Sequence, residues 1–481
     1  MSATTYQDTV RPQLGIGPWP IIWGLALAAS LALYLLRDGL PALASYPDSL
    51  RIPVADWISA GFLIVKTNFT WLTRGITAIL DVPLRFAVNL LARGFLFEPD
   101  GATAWSIPRL SWLGLCALAG ISGWSIGGRP LGLLALIGSL YIALFGQWES
   151  AMTTLALIAI CVPLCAAAGL LLGIGAFRSP RIDKLVISPA LDLMQTIPTF
   201  AYLVPMLLLF GNNPVSALLA TAIFATPPMV RATTLGLARI PPEINDFATM
   251  AGCTRSQQLW RVLLPAARPM LLVGLNQVTM LTLNMVIISS MIGAGGLGYD
   301  VLLALRALKI GDAMEAGLAI VALAIVLDRL SQGAAHVRPA SHSDGGVFWQ
   351  RHALLWLAIV VLAATTLASI WVPGLAKVPA WLQLTTAPYW KMAVDWITVH
   401  WFDYIEAVRV ALIVHGLNPI RAFCVGIPWL AGVGLLGLAG LQLGGWRLGA
   451  LVAVLATFCA VTGLWEKTMA TVYLCGVASL L

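Results

Sequence analysis

The sequence predicts an all-α polytopic membrane protein built from a parallel internal repeat whose second copy is incomplete. Three observations predict it. Hydrophobic residues make up 59% of the chain and charged residues 10%, where soluble domains are roughly a quarter charged. Apolar runs approaching the length of about 20 residues that a spanning helix needs recur from end to end. Finally, Trp112 returns as Trp429, "GGRPLG" (127–132) as "GGWRLG" (444–449) and "GQWESAM" (146–152) as "GLWEKTM" (463–469), all at one shift of 317 residues without a gap. Short alternating strands, the signature of a membrane β-barrel, are missing.

Taken in order, the first 17 residues are polar, and no small-residue cleavage pattern follows the first apolar run, so no cleaved signal is expected. Runs at Ile21–Leu36, Leu110–Trp124, Leu131–Phe145, Ala151–Phe177, Leu185–Phe210, Val215–Arg231, Met270–Ile292 and Ala316–Leu327 supply eight spans of a first unit. An even number returns the chain to its starting side, so the copies are parallel rather than inverted. Leu354–Trp371, Phe423–Leu441, Leu448–Val461 and a partial run from Met469 begin a second unit, which stops at the equivalent of Leu164. Either the polypeptide is naturally short or it is part of a longer one. The expected organisation is a tail and first helix (1–50), an amphipathic interfacial segment (51–100), accessory helices (101–150), a core permease domain (151–332), a cytoplasmic linker (333–352) and the start of the second repeat (353–481).

Basic residues orient these spans. Arg178, Arg181 and Lys184 form one cluster. Arg231, Arg239, Arg255, Arg261 and Arg268 form a second, and Arg329, Arg338 and Arg351 a third. The positive-inside rule puts all three in the cytoplasm, and counting backward puts the N-terminus there too. The segment 51–100 carries Arg51, Lys66, Arg74, Arg85 and Arg93 and reads as a helix lying along an interface. The net charge of +7 is thereby explained by loops, with no nucleic-acid motif. The seven cysteines, mostly in apolar runs with no CxxC pair, read as small core residues. The five histidines form no ligand-spaced cluster, so neither a metal nor a membrane enzyme is expected.

One cytoplasmic stretch, "DFATMAGCTRSQQLWRVLLP" (246–265), is too structured for a connector. Prolines open a first short helix and Gly252 stops it. Ser256 caps a second helix, which Pro265 ends. Two short helices joined by a glycine turn make a rigid knob able to pass force from a soluble partner to the flanking spans. The stretch resembles the EAA loop of ABC-importer permeases, in which a glycine is followed after nine residues by Ile-x-Leu-Pro. Here Gly252 is followed at that spacing by Val262, Leu263, Leu264 and Pro265, while Asp246 takes the Glu position and Phe247 and Ala248 the two Ala positions. The segments "MQTIPTFAYLVPMLLLFG", "ATPPMVRATTLG", "LNQVTMLTLNMVIISSMIGAGGLG" and "VLDRLSQ" are similar to permeases of the glycine betaine, proline betaine and choline importers, a group that also serves trimethylamine N-oxide-like compounds. The resemblance implies a type I (MetI-like) permease fold in the bacterial inner membrane. It also implies a pair of ATPase subunits docked on EAA loops, and a periplasmic or tethered substrate-binding protein. The chain has no G-x-x-x-x-G-K-[ST] loop, so ATP is left to the partner and no cofactor is expected. "GAGGLG" (293–298) reads as a tight backbone turn rather than a dinucleotide loop.

Polar side chains within spans need a partner, water or a substrate. Gln277 and Asn284 lie seven residues apart, on one helix face, and with Asn276 and Thr279 form one candidate wall of a substrate path. Helix–helix hydrogen bonding is the equal alternative. Gln195 and Thr196 flank Pro198, where a break in the helix exposes backbone carbonyls. No acidic residue is placed at mid-membrane, which favours neutral walls suited to a zwitterionic quaternary ammonium compound. The competing reading is an ion-coupled secondary transporter or channel for small zwitterions; dependence of uptake on internal ATP separates the two.

Overall fold

The computed structural model describes residues 19–36, 46–97, 105–336 and 353–480. The linker expected over 333–352 falls mostly outside them. The chain forms two compact units, one of residues 64–396 and one that joins 1–63 to 397–481.

In chain order the principal elements are α1 (Trp19–Leu35), α2 (Val54–Asn68), α3 (Thr70–Val88, extended by a wide turn over Asn89–Arg93) and a two-stranded antiparallel ribbon, β1 (Phe95–Phe97) and β2 (Trp105–Ile107). There follow α4 (Trp112–Leu144), α5 (Trp148–Arg178), α6 (Ser188–Thr196), α7 (Thr199–Phe210), α8 (Pro214–Ala225), α9 (Pro227–Ala238) and α10 (Pro242–Met250). Then come α11 (Leu264–Ser289), α12 (Leu297–Arg306), α13 (Ile310–His336), α14 (Ala353–Ala368), α15 (Ala387–Val410), α16 (Asn418–Val425), α17 (Trp429–Val461) and α18 (Trp465–Leu480). Among the described residues eight helical stretches are long and apolar enough to cross a membrane. A ninth is the pair α6–α7 and the short turn before it, bent by 103°. The expected polytopic all-α class stands, with the small ribbon as an element the sequence did not announce.

The repeat is visible in the backbone itself. α4 is a hairpin: Gly127 and Gly128 (φ 77°, ψ −171°) fold its second arm back along the first. In α17, Gly444 and Gly445 (φ 74°, ψ −171°) make the same turn. Gly146 (φ 73°) and Gly463 (φ 74°) likewise end the two hairpins alike. Small residues let the arms approach: a Cβ on Gly132 would lie 2.8 Å from the Gly120 carbonyl, and one on Gly449 3.1 Å from that of Gly437. The positive φ at each turn is a conformation only glycine adopts without strain.

The copies exchange their first helices. α14, which opens the second copy, packs on the first hairpin, where a Cβ on Gly114 would lie 2.3 Å from Thr365 Oγ1. In the other unit α1 packs on the second hairpin, and Trp23 Nε1 donates to Gln442 Oε1 at 2.6 Å. Residues 353–396 therefore group with the first copy's core and residues 397–481 with the chain's beginning.

The interfacial expectation for 51–100 divides as well. α2 has no buried residue. α3 runs into the bundle: Leu84 is buried against Leu157, Val215 and Val286, and Ala92 against Trp112 and Trp148. Its charges sit beside an apolar stripe that neighbours cover.

Two buried ionic groups hold the unit's ends. Arg109 donates to the carbonyls of Ala92 and Ala376 and lies 3.5 Å from Glu149. Burial pulls its guanidinium below the usual value, and Glu149 opposes that shift. Glu315 is 5% exposed in the second turn of α13. Its Oε1 accepts from the Thr385 and Thr386 hydroxyls and from the Thr386 and Ala387 amides, which cap α15. Glu315→Ala is expected to cost about 1.5–3 kcal/mol, the range for a hydrogen bond to a charged group. Proteolysis of the segment 372–386 should rise accordingly; an unchanged cleavage rate contradicts the tether.

Candidate functional site

The elbow between α9 and α11 is built by local rules that the sequence carries openly. Pro241 and Pro242 start α10, where a missing amide costs nothing. The helix ends in a complete Schellman motif: the Cys253 amide donates to the Ala248 carbonyl at 3.1 Å and the Gly252 amide to that of Thr249 at 3.0 Å. Gly252 supplies the positive φ of 73° that this closure requires.

The second helix starts two residues earlier than expected. Thr254, not Ser256, is the N-cap. Its hydroxyl accepts from the Gln257 amide at 3.3 Å while the Gln257 side chain accepts from the Thr254 amide at 2.9 Å. Ser256 lacks a Gln or Glu three residues later, and the reciprocal box favours Thr254. Thr254→Ala should cost about 1 kcal/mol locally, read as faster hydrogen exchange over residues 255–263; unchanged protection would deny the cap its part.

Pro265 does not end this helix. Residues 255–289 run on as one helical stretch, and a π-helical turn over Gln258–Leu263 precedes the proline. The wide turn accommodates a residue that has no amide to donate and whose ring crowds the preceding turn. Side chains then clamp the elbow: Gln258 Nε2 donates to Asn245 Oδ1 at 2.5 Å. Leu259, Leu263 and Leu264 bury themselves with Ile174 of α5, Leu237 of α9 and Ala267 of α11. The elbow is thus bolted to the ends of three bundle helices.

Its predicted residues divide into two groups. Ala248 (1% exposed) and Leu264 are buried, and Val262 is half-buried. Asp246, Phe247 (71% exposed), Gly252 and Pro265 face outward. Met250 and Trp260 are exposed too, giving the elbow an acid and three large apolar side chains with no cover. Those two were missed because a lone exposed Met or Trp carries no spacing signal.

The pathway residues are dispersed. Gln277 and Asn284 share the exposed face of α11 with Val273 and Met280, and Asn284 and Thr279 line a cleft of ≈ 220 Å³ with Asp328 of α13. Asn276 leaves that face: its Oδ1 is buried and has no hydrogen-bond partner among the described residues. The chain breaks at Pro198, with Ile197 and Pro198 extended between α6 and α7. Gln195 and Thr196 are exposed beside the break. The Tyr202 hydroxyl reaches back to the Met194 carbonyl at 2.7 Å, satisfying one backbone group that the break released. Asp192 pairs with Arg231 of α9 at 2.5 Å, tying the broken span to the helix that leads into the elbow. "GAGGLG" is the expected turn: Gly293, Gly295 and Gly296 all have positive φ, and the Leu297 amide donates to Thr154 Oγ1 at 3.0 Å.

Residues 165–335, which contain the elbow and the broken span, match the family described as binding-protein-dependent transport system inner membrane component. Over 98% of its length the chain is 36% identical to the trimethylamine N-oxide transport system permease protein TmoV of Ruegeria pomeroyi, covering 71% of that protein. TmoV of Pelagibacter ubique is 37% identical over 78% of the chain, which spans 53% of that relative. The glycine betaine/proline betaine transport system permease protein ProW of Escherichia coli is 38% identical over 62% of the chain and 78% of its own length.

Proposed function

We propose a function from one premise: this chain belongs to the family of ABC-importer permeases for betaine-like compounds and trimethylamine N-oxide, multi-pass inner membrane components of binding-protein-dependent transport systems. It is a transport subunit of an ATP-driven importer. In our reading the elbow is its coupling device. Asp246, Phe247, Met250 and Trp260 meet an ATPase subunit, while Ala248, Gly252, Val262, Leu264 and Pro265 keep the elbow's shape. ATP stays with that partner, because this chain has no P-loop of its own, and a substrate-binding protein delivers the cargo.

The observation that carries this reading is the bolted elbow, a small rigid body whose inner face holds three helices and whose outer face is an uncovered acid among apolar side chains. A push on such a body moves α5, α9 and α11 together, because packed interfaces shift between discrete arrangements rather than deform. The cargo is a small zwitterion of the quaternary ammonium or methylamine N-oxide class. Gln195, Thr196, Gln277 and Asn284 offer it side-chain dipoles, the break at Pro198 adds backbone carbonyls, Asp328 lies in the cleft beside Asn284, and Asn276 offers an acceptor once the bundle rocks.

Asp246→Lys is the direct test. Uptake of labelled glycine betaine or trimethylamine N-oxide into right-side-out vesicles supplied with the binding protein should require ATP in the vesicle lumen, the cytosolic side. The variant should lose that uptake while its amount in the membrane is unchanged. Normal uptake by the variant, or uptake that follows an ion gradient without ATP, contradicts the proposal and favours a secondary transporter.

A further inference from the structure

The first hairpin carries a groove that neither the elbow nor the polar face of α11 uses. Between its arms lies a cleft of ≈ 510 Å³ lined by Ala117, Gly120, Ile121, Leu133 and Leu136, with Trp124 and Arg129 at one end. Its floor is the close contact of the two arms at Gly120 and Gly132, where a Cβ on Gly132 would lie 2.8 Å from the Gly120 carbonyl. Arg129 is exposed, lies over the Trp124 ring at 5.9 Å, and has no ion-pair partner among the described residues.

The depth of that end is set by its neighbour. A Cβ on Gly333 of α13 would meet Ile126 and Leu131 on either side of the hairpin turn, and Gly333 follows the basic cluster beginning at Arg329. The turn is therefore at the cytosolic face. The cleft is an apolar slot in the cytosolic half of the bilayer with a cation at headgroup depth.

The second hairpin rebuilds the same pairing from different residues. At its turn Arg447 lies over Trp446 at 5.8 Å. Under the 317-residue shift Arg129 corresponds to Trp446, and Trp124 to Leu441, so the arginine-on-indole arrangement is kept while its positions are not. Packing of the arms needs the glycines; it does not need a guanidinium held on an indole at the turn.

We propose that the groove of the first hairpin holds an acyl chain of an anionic phospholipid of the cytosolic leaflet, with the lipid phosphodiester on Arg129. A guanidinium is the side chain best matched to a phosphate, by geometry as well as charge. The competing occupant, an apolar helix of another subunit, would cover Arg129 with nothing to pair it, and an unpaired charge in apolar surroundings is costly. The lipid satisfies both halves of the site at once, as a wedge between arms that glycines hold close.

Native mass spectrometry of the purified chain, in an Arg447→Gln background to silence the second turn, tests this. Phosphatidylglycerol and phosphatidylcholine of matched chains are added in turn. Phosphatidylglycerol should be retained in preference, and Arg129→Gln should lower its retention about fivefold, the factor one basic residue confers near an anionic surface, with a smaller loss for phosphatidylcholine, whose ammonium already offsets its phosphodiester. Ala117→Phe, which fills the slot and spares the cation, should lower retention of both lipids. Arg129 is a surface side chain, so its arm of the experiment stands even where Ala117→Phe disturbs the hairpin. Retention unchanged by Arg129→Gln overturns the proposal. So does displacement of the lipid by inorganic phosphate alone, which would make the site one for a free anion.

Discussion

Ala248→Trp is expected to abolish uptake while leaving the chain in the membrane. Ala248 is the buried residue of α10 at 1% exposure, and α10 is the half of the elbow that rests on the turn Gln258–Leu263. A large ring there has no room, and overpacking costs about 1–3 kcal/mol. The strain falls on the weakest element, a nine-residue helix held by the Asn245–Gln258 clamp and its Schellman closure. A shift of that size lowers the docked population about 10–100-fold. The control is Phe247→Ala one residue earlier, where the side chain is exposed; it should fold normally and touch only the partner contact. Labelled-substrate uptake, normalised to protein in the membrane, reads both. Full uptake by Ala248→Trp would mean that the elbow's shape does not matter.

Gly296→Ala is expected to cost the chain far more stability than Gly252→Ala, the other glycine turn compared with it. At Gly296 φ is 85°, and an added Cβ would lie 2.5 Å from Thr154 Oγ1, the acceptor of the Leu297 amide. Left-handed strain, about 1 kcal/mol or more, is joined by displacement of a buried hydrogen bond and of α5 itself, for a total of about 3 kcal/mol. Gly252→Ala is the matched comparison. Its φ is 73°, but an added Cβ meets nothing within 4 Å, so only the backbone term, about 1 kcal/mol, applies. Thermal unfolding in detergent should rank Gly296→Ala well below Gly252→Ala. Equal losses would show that the close approach to α5 contributes nothing.

These two glycines also show what the sequence could and could not convey. Gly252 was legible because a helix stop is a local event, written in the residues beside it. So was the hairpin pair Gly127–Gly128, announced by its recurrence at Gly444–Gly445. The capping box at Thr254 is equally local: a glutamine stands three places on, which Ser256 lacks. What stayed hidden was decided at a distance. The exchange of α1 and α14 depends on which hairpin each helix reaches. Glu315 finds its partners about 70 residues away, at Thr385–Ala387. The burial of α3 depends on neighbours that cover an otherwise polar-looking segment. The turn before Pro265 was illegible for another reason: a π-helical turn shifts the residue period without leaving a residue type to mark it. In the pathway, sequence spacing put Gln277 and Asn284 on one face, but it could not tell that Asn276, one residue away, buries its Oδ1 with no partner among the described residues.

The central claim is that a cytosolic elbow takes up the push of an ATP-hydrolysing subunit. A photoreactive amino acid placed at Met250, 81% exposed at the end of α10, measures it most directly. In membranes containing the assembled transporter, irradiation should join the chain to its ATPase subunit, and the adduct should change in yield when ATP is added. An adduct with a protein of the outer face, or none with any ATPase, would contradict the account.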